Sequence, residues 1–134
     1  MQTTDPARLD VVKKFLILMT NQEVDDAITL LSSQVLYRVP AIQGMTTEFS
    51  GREEVAEHLA HFFQEIRGTF DLLKWDDWLV GNQRIGALAT VRMQRNKQVM
   101  TEEIVFLLTV DEHDQISTVT LYLNDLERFQ NFLR

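Results

Sequence analysis

Apolar residues recur at helical spacing in the first half of the chain and at strand spacing in the second. Leu9, Val12, Phe15, Leu16 and Met19 are separated by three and four positions, which predicts an amphipathic helix. Asp5-Pro6 reads as its start, an N-cap followed by proline in the first helical turn. A second short helix is expected after Asn21, carrying Val24, Ala27, Ile28 and Leu31 and ended by Ser32-Ser33. A strand over 34–40 and a polar loop over 41–50 follow. Ser50 is the expected N-cap of a third helix running from about Arg52 to Ile66, with Glu53 and Glu54 near its positive end. Val55, Leu59, Phe62, Phe63 and Ile66 give that helix one apolar face, and Gly68 breaks it.

Beyond Gly68 the period falls to two. Strands are predicted over 69–80, 84–95, 99–110 and 116–124, divided by turns at Gly81-Asn82, Arg95-Asn96-Lys97 and Asp111 to Gln115. Connections this short make consecutive strands antiparallel neighbours. A last helix over 125–133 closes the chain. Helices first and a meander last give an α+β class, with N-terminal helices packed on a curved sheet. The strand 99–110 is apolar on both parities: Met100, Ile104, Phe106 and Leu108 on one, Val105 and Leu107 on the other. Helices of so short a chain can cover only one face, so the outer face is expected to pair with a second copy as a homodimer.

Composition narrows the classes. The 134 residues fit one domain, 1–134, and no linker or repeat divides them. Thirteen basic residues against 20 acidic ones leave a net charge of −7, which disfavours nucleic acid and anionic membranes as partners. The absence of cysteine excludes disulfides, thiolate nucleophiles and cysteine-based metal sites. The first residues show neither the basic nor the apolar part of a signal peptide, and no apolar run reaches the roughly 20 residues that span a bilayer. A cytoplasmic protein is expected.

The order Tyr37-x-Val39-Pro40, then Gly51-Arg52-x-x-Val55, then a meander ending in Leu121-Tyr122-Leu123-Asn124-Asp125 resembles the nuclear-transport-factor-like superfamily, and its SnoaL-like branch most closely. The resemblance implies a cone-shaped α+β barrel with a pocket between the concave sheet and the first and third helices. It includes ketosteroid isomerases, polyketide cyclases, dehydratases and epoxide hydrolases beside non-catalytic modules, so it does not fix an activity. The proton-handling positions of the isomerases fall here on Phe15, Val39 and Phe106, none of which can donate or accept a proton. Ketosteroid isomerase activity is therefore not expected.

The same register places Tyr37, Val39, Ala89, Val91, Met93, Glu102, Ile104, Phe106, Val119, Leu121 and Leu123 toward the hollow. Trp75 and Trp78, three apart in a strand, are expected to face opposite ways, with Trp78 inward. Phe15, Met19, Phe62, Phe63 and Ile66 join them from the helices, which makes an apolar pocket for a hydrophobic small molecule. Two lining residues carry candidate chemistry. Glu102 is a general acid or base if desolvated in the hollow, and a solvated strand-end carboxylate otherwise. Tyr37 donates to a ligand carbonyl, or is a core aromatic whose hydroxyl finds the backbone. His58 and His61, each four residues after a glutamate, read as a solvated helix face rather than a metal site, and Arg92 with Glu103 as an outer cross-strand pair. No glycine-rich phosphate loop is present, so no nucleotide cofactor is expected, and the two helix histidines have no evident third strong ligand, so no metal is expected either. The functional expectation is a SnoaL-like small-molecule-binding protein. Its active form would be a cofactor-free cyclase, isomerase or lyase using Glu102 and Tyr37; the alternative is a non-catalytic homodimeric binding module.

Overall fold

The computed structural model describes residues 6–39, 47–66, 70–95 and 97–133. Helix α1 (Pro6–Thr20) leads into a single α-helical turn, α2 (Val24–Ala27), and a 3-10 turn (Ile28–Leu30). Strands β1 (Leu31–Arg38) and β2 (Glu48–Ser50) precede α3 (Gly51–Glu65). Then come β3 (Phe70–Val80), β4 (Arg84–Arg95), β5 (Gln98–Val110), β6 (Ile116–Leu123) and α4 (Leu126–Leu133). The six strands form one sheet in the order β2-β1-β6-β5-β4-β3. Every neighbouring pair is antiparallel except β1 with β6, so the sheet is mixed and mainly antiparallel, as the α+β reading requires. No helix among the described residues is long and apolar enough to cross a membrane.

The helices form for the reasons their spacing gives. Val12, Phe15, Leu16 and Met19 are buried along one side of α1, and Val55, Leu59 and Phe63 along one side of α3. Gly51 opens α3 at φ +84, a left-handed conformation that a side chain disfavours, and this is why the helix starts so abruptly. Ser50 is the N-cap, but its side chain makes no capping bond; instead the Glu54 carboxylate accepts the Ser50 N–H at 3.0 Å. Arg52 donates to the Leu31 carbonyl at 2.8 Å and ties the helix to the start of β1.

Four expected elements differ. Leu31, Ser32 and Ser33 belong to β1, not to the end of a helix, because the second helix stops after one α turn and a 3-10 turn. A short strand, β2, occupies the last part of the expected loop, and Arg38 reaches across to Glu48 at 3.1 Å. Trp75 and Trp78 share a face, their rings 5.0 Å apart, since a register shift between Trp75 and Asp77 adds a residue to β3 and reverses the parity. Arg92 pairs with Asp71 at 3.2 Å rather than with Glu103, which lies opposite Thr90. The Asp5 cap, the loop at 41–46 and the Gly68 break lie outside the described residues.

The core sits between the inner face of the sheet and the helices. From Met100 onward β5 alternates strictly, with Met100, Glu102, Ile104, Phe106, Leu108 and Val110 buried and the odd positions exposed or half-buried. At one end of the cone Arg95 of β4 reaches Glu65 of α3 at 3.3 Å and the Phe132 carbonyl of α4 at 3.5 Å, tying three elements together.

Candidate functional site

A hollow of about 60 Å³ lies in the core. Its floor is the sheet: Ile104 and Phe106 from β5, Leu121 and Leu123 from β6, and Phe70 from β3. Met19 at the end of α1 and Leu59, Phe62 and Phe63 of α3 roof it, and Phe129 of α4 closes one side. The phenylalanines meet edge to face, Phe62 against Phe63 at 5.6 Å and against Phe70 at 5.9 Å. Rigid rings in this arrangement do not interdigitate fully, and the space is what remains between them.

Two polar side chains, Tyr37 and His58, reach the wall. Tyr37 is fully buried, and its hydroxyl donates to the Met19 thioether at 3.8 Å rather than to the backbone. A thioether is a weak acceptor, so a buried donor is left under-used. Burial drives the phenol pKa well above its ordinary value, so the hydroxyl keeps its proton. His58 stacks on Phe49 at 4.1 Å and lies tilted against the Tyr37 ring at 5.5 Å. Burial, and after it repulsion from His61, lower the His58 pKa to about 4. The imidazole is neutral at neutral pH, with one nitrogen free to accept and one to donate. Neither nitrogen has a hydrogen-bond partner among the described residues.

The sequence reading places Tyr37, Met19, Val39, Phe62, Phe63, Ile104, Phe106, Leu121 and Leu123 in the lining, and all nine are there. Seven other apolar residues expected there are not. Phe15, Ile66, Ala89, Val91, Met93 and Val119 are wholly buried in the solid core, and Trp78 lies outside the hollow with Lys13 of α1 over its ring at 5.3 Å. The correct inward parity does not by itself put a side chain against empty space; how the neighbouring side chains pack over it decides that.

Glu102 is neither in the wall nor at a wet strand end. It is 3% exposed, facing inward opposite Val91. One carboxyl oxygen, Oε1, accepts the Glu103 N–H at 2.9 Å; the other, Oε2, is buried without a partner among the described residues. His58, Leu59, Phe70 and Phe129 were not expected in the lining. For His58 a signal existed: it stands four residues before Phe62, so both lie on one helix face. His61, by contrast, is exposed and pairs with Glu65 at 3.8 Å. No group of three His, Asp or Glu side chains among the described residues could hold a metal ion.

Neither a family model nor a curated protein sequence matches the chain. Solved structures do. TerC, co-crystallised with polyporic acid, superposes with a TM-score of 0.83 at 13% identity, over 95% of this chain and 98% of its own. An NTF2-like protein from Burkholderia xenovorans LB400 gives 0.80 at 12% identity, over 99% and 100%. A protein provisionally assigned as a SnoaL-like polyketide cyclase, from Jannaschia sp. CCS1, gives 0.81 at 11% identity, over 99% and 98%. At such identities the likeness is one of architecture. The helices roofing a curved six-stranded sheet, and the match along nearly the full length of these chains, show that this protein has the NTF2-like, SnoaL-like cone fold.

Proposed function

We propose that the chain binds a small apolar or aromatic molecule carrying a hydrogen-bond acceptor, held in the hollow with that acceptor against Tyr37. One observation carries this reading: a fully buried phenol whose hydroxyl has only a thioether to donate to. A ligand carbonyl would replace the Met19 sulfur as a far better acceptor, and neutral His58 beside it adds a second polar contact of either sense. A cavity of about 150 Å³ accepts a benzene ring, so a hollow of about 60 Å³ takes an aromatic ligand only if its walls move. Met19, with its unbranched and flexible side chain, is the piece best suited to swing away. The co-crystallisation of TerC with polyporic acid supports a small organic ligand for this architecture.

In a catalytic form of this reading, a cofactor-free cyclase, isomerase or lyase, Tyr37 would steady charge developing on the substrate oxygen and His58 would take up a proton. The wall positions Val39 and Phe106 carry no proton. A homodimer through the outer sheet face belongs to the same proposal. Its support is the apolar surface there: Val105 and Leu107 half-buried and Tyr122 54% exposed.

The test compares acetophenone with ethylbenzene, which lacks the oxygen, by thermal shift on the wild type and on Tyr37→Phe. Acetophenone is expected to bind the wild type about tenfold more tightly, the value of one good hydrogen bond. Tyr37→Phe is expected to erase the preference while leaving ethylbenzene binding unchanged. Equal shifts from the two compounds on the wild type would overturn the reading.

A further inference from the structure

The buried carboxyl of Glu102 has no role in the site as described, yet it stands beneath it. The sheet register runs in rows across the inner face. Ile104 lies opposite Ala89, Glu102 opposite Val91, and Met100 opposite Met93, which in turn faces Phe70. Ile104 and Phe70 both line the hollow, so the Glu102 row lies between two rows that reach it. Its neighbours on the floor, Val91, Met93, Met100 and Ile104, are all apolar and buried, and no cation among the described residues pairs with it. The carboxyl is turned back on its own strand, where Oε1 takes the Glu103 N–H, and no group of the described protein donates to Oε2. Burying a carboxyl oxygen without a donor destabilises a fold, whereas an apolar side chain of similar length would not.

We infer that Glu102 is a second polar anchor of the same hollow, and that the ligand carries a hydrogen-bond donor, a hydroxyl or an amine, at the end away from Tyr37. The inference rests on the proposed binding reading and adds to it the chemistry of the far end. Successive inward positions on a strand are about 7 Å apart, so one step beyond Ile104 brings a ligand to the Glu102 row. To act as that anchor the carboxyl must rotate away from Glu103 and offer an oxygen to a ligand in the space that Ile104 and Phe70 border. An apolar molecule with an acceptor at one end and a donor at the other would then satisfy both under-used groups, the Tyr37 hydroxyl and the Glu102 carboxyl. This explains why a polar side chain stands in a row that is otherwise hydrocarbon.

The experiment measures the affinity gained by adding a hydroxyl to the far end of a Tyr37-directed ligand. The pairs are acetophenone with 4-hydroxyacetophenone, and 4-acetylbiphenyl with 4-acetyl-4′-hydroxybiphenyl, whose hydroxyl reaches further. At least one hydroxylated compound is expected to bind the wild type about tenfold more tightly than its parent, the value of one good hydrogen bond. In Glu102→Met that gain falls to about onefold, while the parent binds as before. Glu102→Gln keeps the shape and an acceptor oxygen, and reduces the gain without abolishing it, which serves should Glu102→Met fail to fold. If the parents bind through Tyr37 but the hydroxyl adds nothing, or its gain survives Glu102→Met, Glu102 is not an anchor and the binding reading stands alone. That result is also the one expected if a buried water serves Oε2. If the parents themselves show no dependence on Tyr37, both readings are overturned.

Discussion

The two faces of β5 differ more than their sequences suggest. Phe106 and Leu107 are adjacent and both apolar, yet Phe106 is wholly buried among the rings of the hollow while Leu107 is half-buried on the outer face. The inner face is sealed by helices from the same chain. On the outer face Leu107 stands opposite Gly86 on β4 and Thr120 on β6, and the described residues leave it only half-buried. A side chain's contribution is therefore set by what lies over it and not by its own hydrophobicity.

The largest expected effect tests the inner face. Phe106→Ala should destabilise the protein by about 3–5 kcal/mol, because it enlarges a hollow that already exists and the surrounding rings cannot collapse into it. Leu107→Ala is the paired measurement. In a lone chain it should lose only about 1 kcal/mol, in keeping with partial burial. A loss of about 2–5 kcal/mol that depends on protein concentration would instead mean that a second copy buries it. Leu107→Glu sharpens the contrast: sedimentation should show the wild type as a dimer and the variant as a monomer. A wild type that sediments as a monomer at every concentration removes the dimer from the proposal.

The next effect belongs to His58, which sits where the inner face meets the hollow. Its folded pKa of about 4 lies below the ordinary histidine value of 6.5, so between these values the unfolded chain binds more protons than the folded one. Stability should therefore be constant above about pH 6.5 and fall as the pH drops toward 4. The loss from this residue reaches roughly 3 kcal/mol. Urea midpoints measured across this window on the wild type and on His58→Phe should separate the contribution, since the variant has no proton to gain there. Parallel pH dependences in the two proteins would show that the imidazole is not desolvated. His61→Gln, on the exposed part of the same helix, should weaken the dependence only in part, because burial is the larger cause of the His58 shift and repulsion from His61 the smaller.

How much of this could be read from the sequence depended on whether a local period survived. In β5 the alternation runs unbroken from Met100 to Val110, and the inward set followed directly. In β3 two register shifts break the period of two, so a count of three between the tryptophans gave opposite faces where the strand gives one. Three residues of β2 are too few to show any period. Leu31 suits a helix or a strand, and pairing with Ile116 across the sheet, a contact far off in sequence, decided for the strand. The site was legible to the same degree. Its apolar lining follows from parity and helical spacing. Glu102 was placed on the correct face, but its wet and its desolvated readings both stayed open; β5 begins at Gln98, and only the fold brings α4 beside its start, with Met100 and Phe132 bordering one groove. His58 was assigned to solvent because a Glu–His pair at i,i+4 is common on exposed helices, and only the fold brings Phe49 over its ring.

The smallest effect tests the end of the inner face that has no hollow. There the small side chains Ala87 and Ala89 on β4 face Trp78 and Trp75 on β3, leaving room for large rings to lie against the strand. The indoles fill the space that the phenylalanine edges leave open at the other end, and Lys13 of α1 caps Trp78 at 5.3 Å. Lys13 is exposed, so its charge is largely screened and the contact should contribute about 0.5 kcal/mol. Lys13→Gln should therefore lower the urea midpoint only slightly, while Lys13→Arg should hold it, since a guanidinium also stacks on indole. Tryptophan emission should shift in Lys13→Gln without any change in ligand affinity, because the Trp pair and the hollow are separate parts of one face. If Lys13→Gln instead alters acetophenone binding, the solid end and the hollow end move together, and the space that admits the ligand is opened by α1 as a whole rather than by Met19 alone.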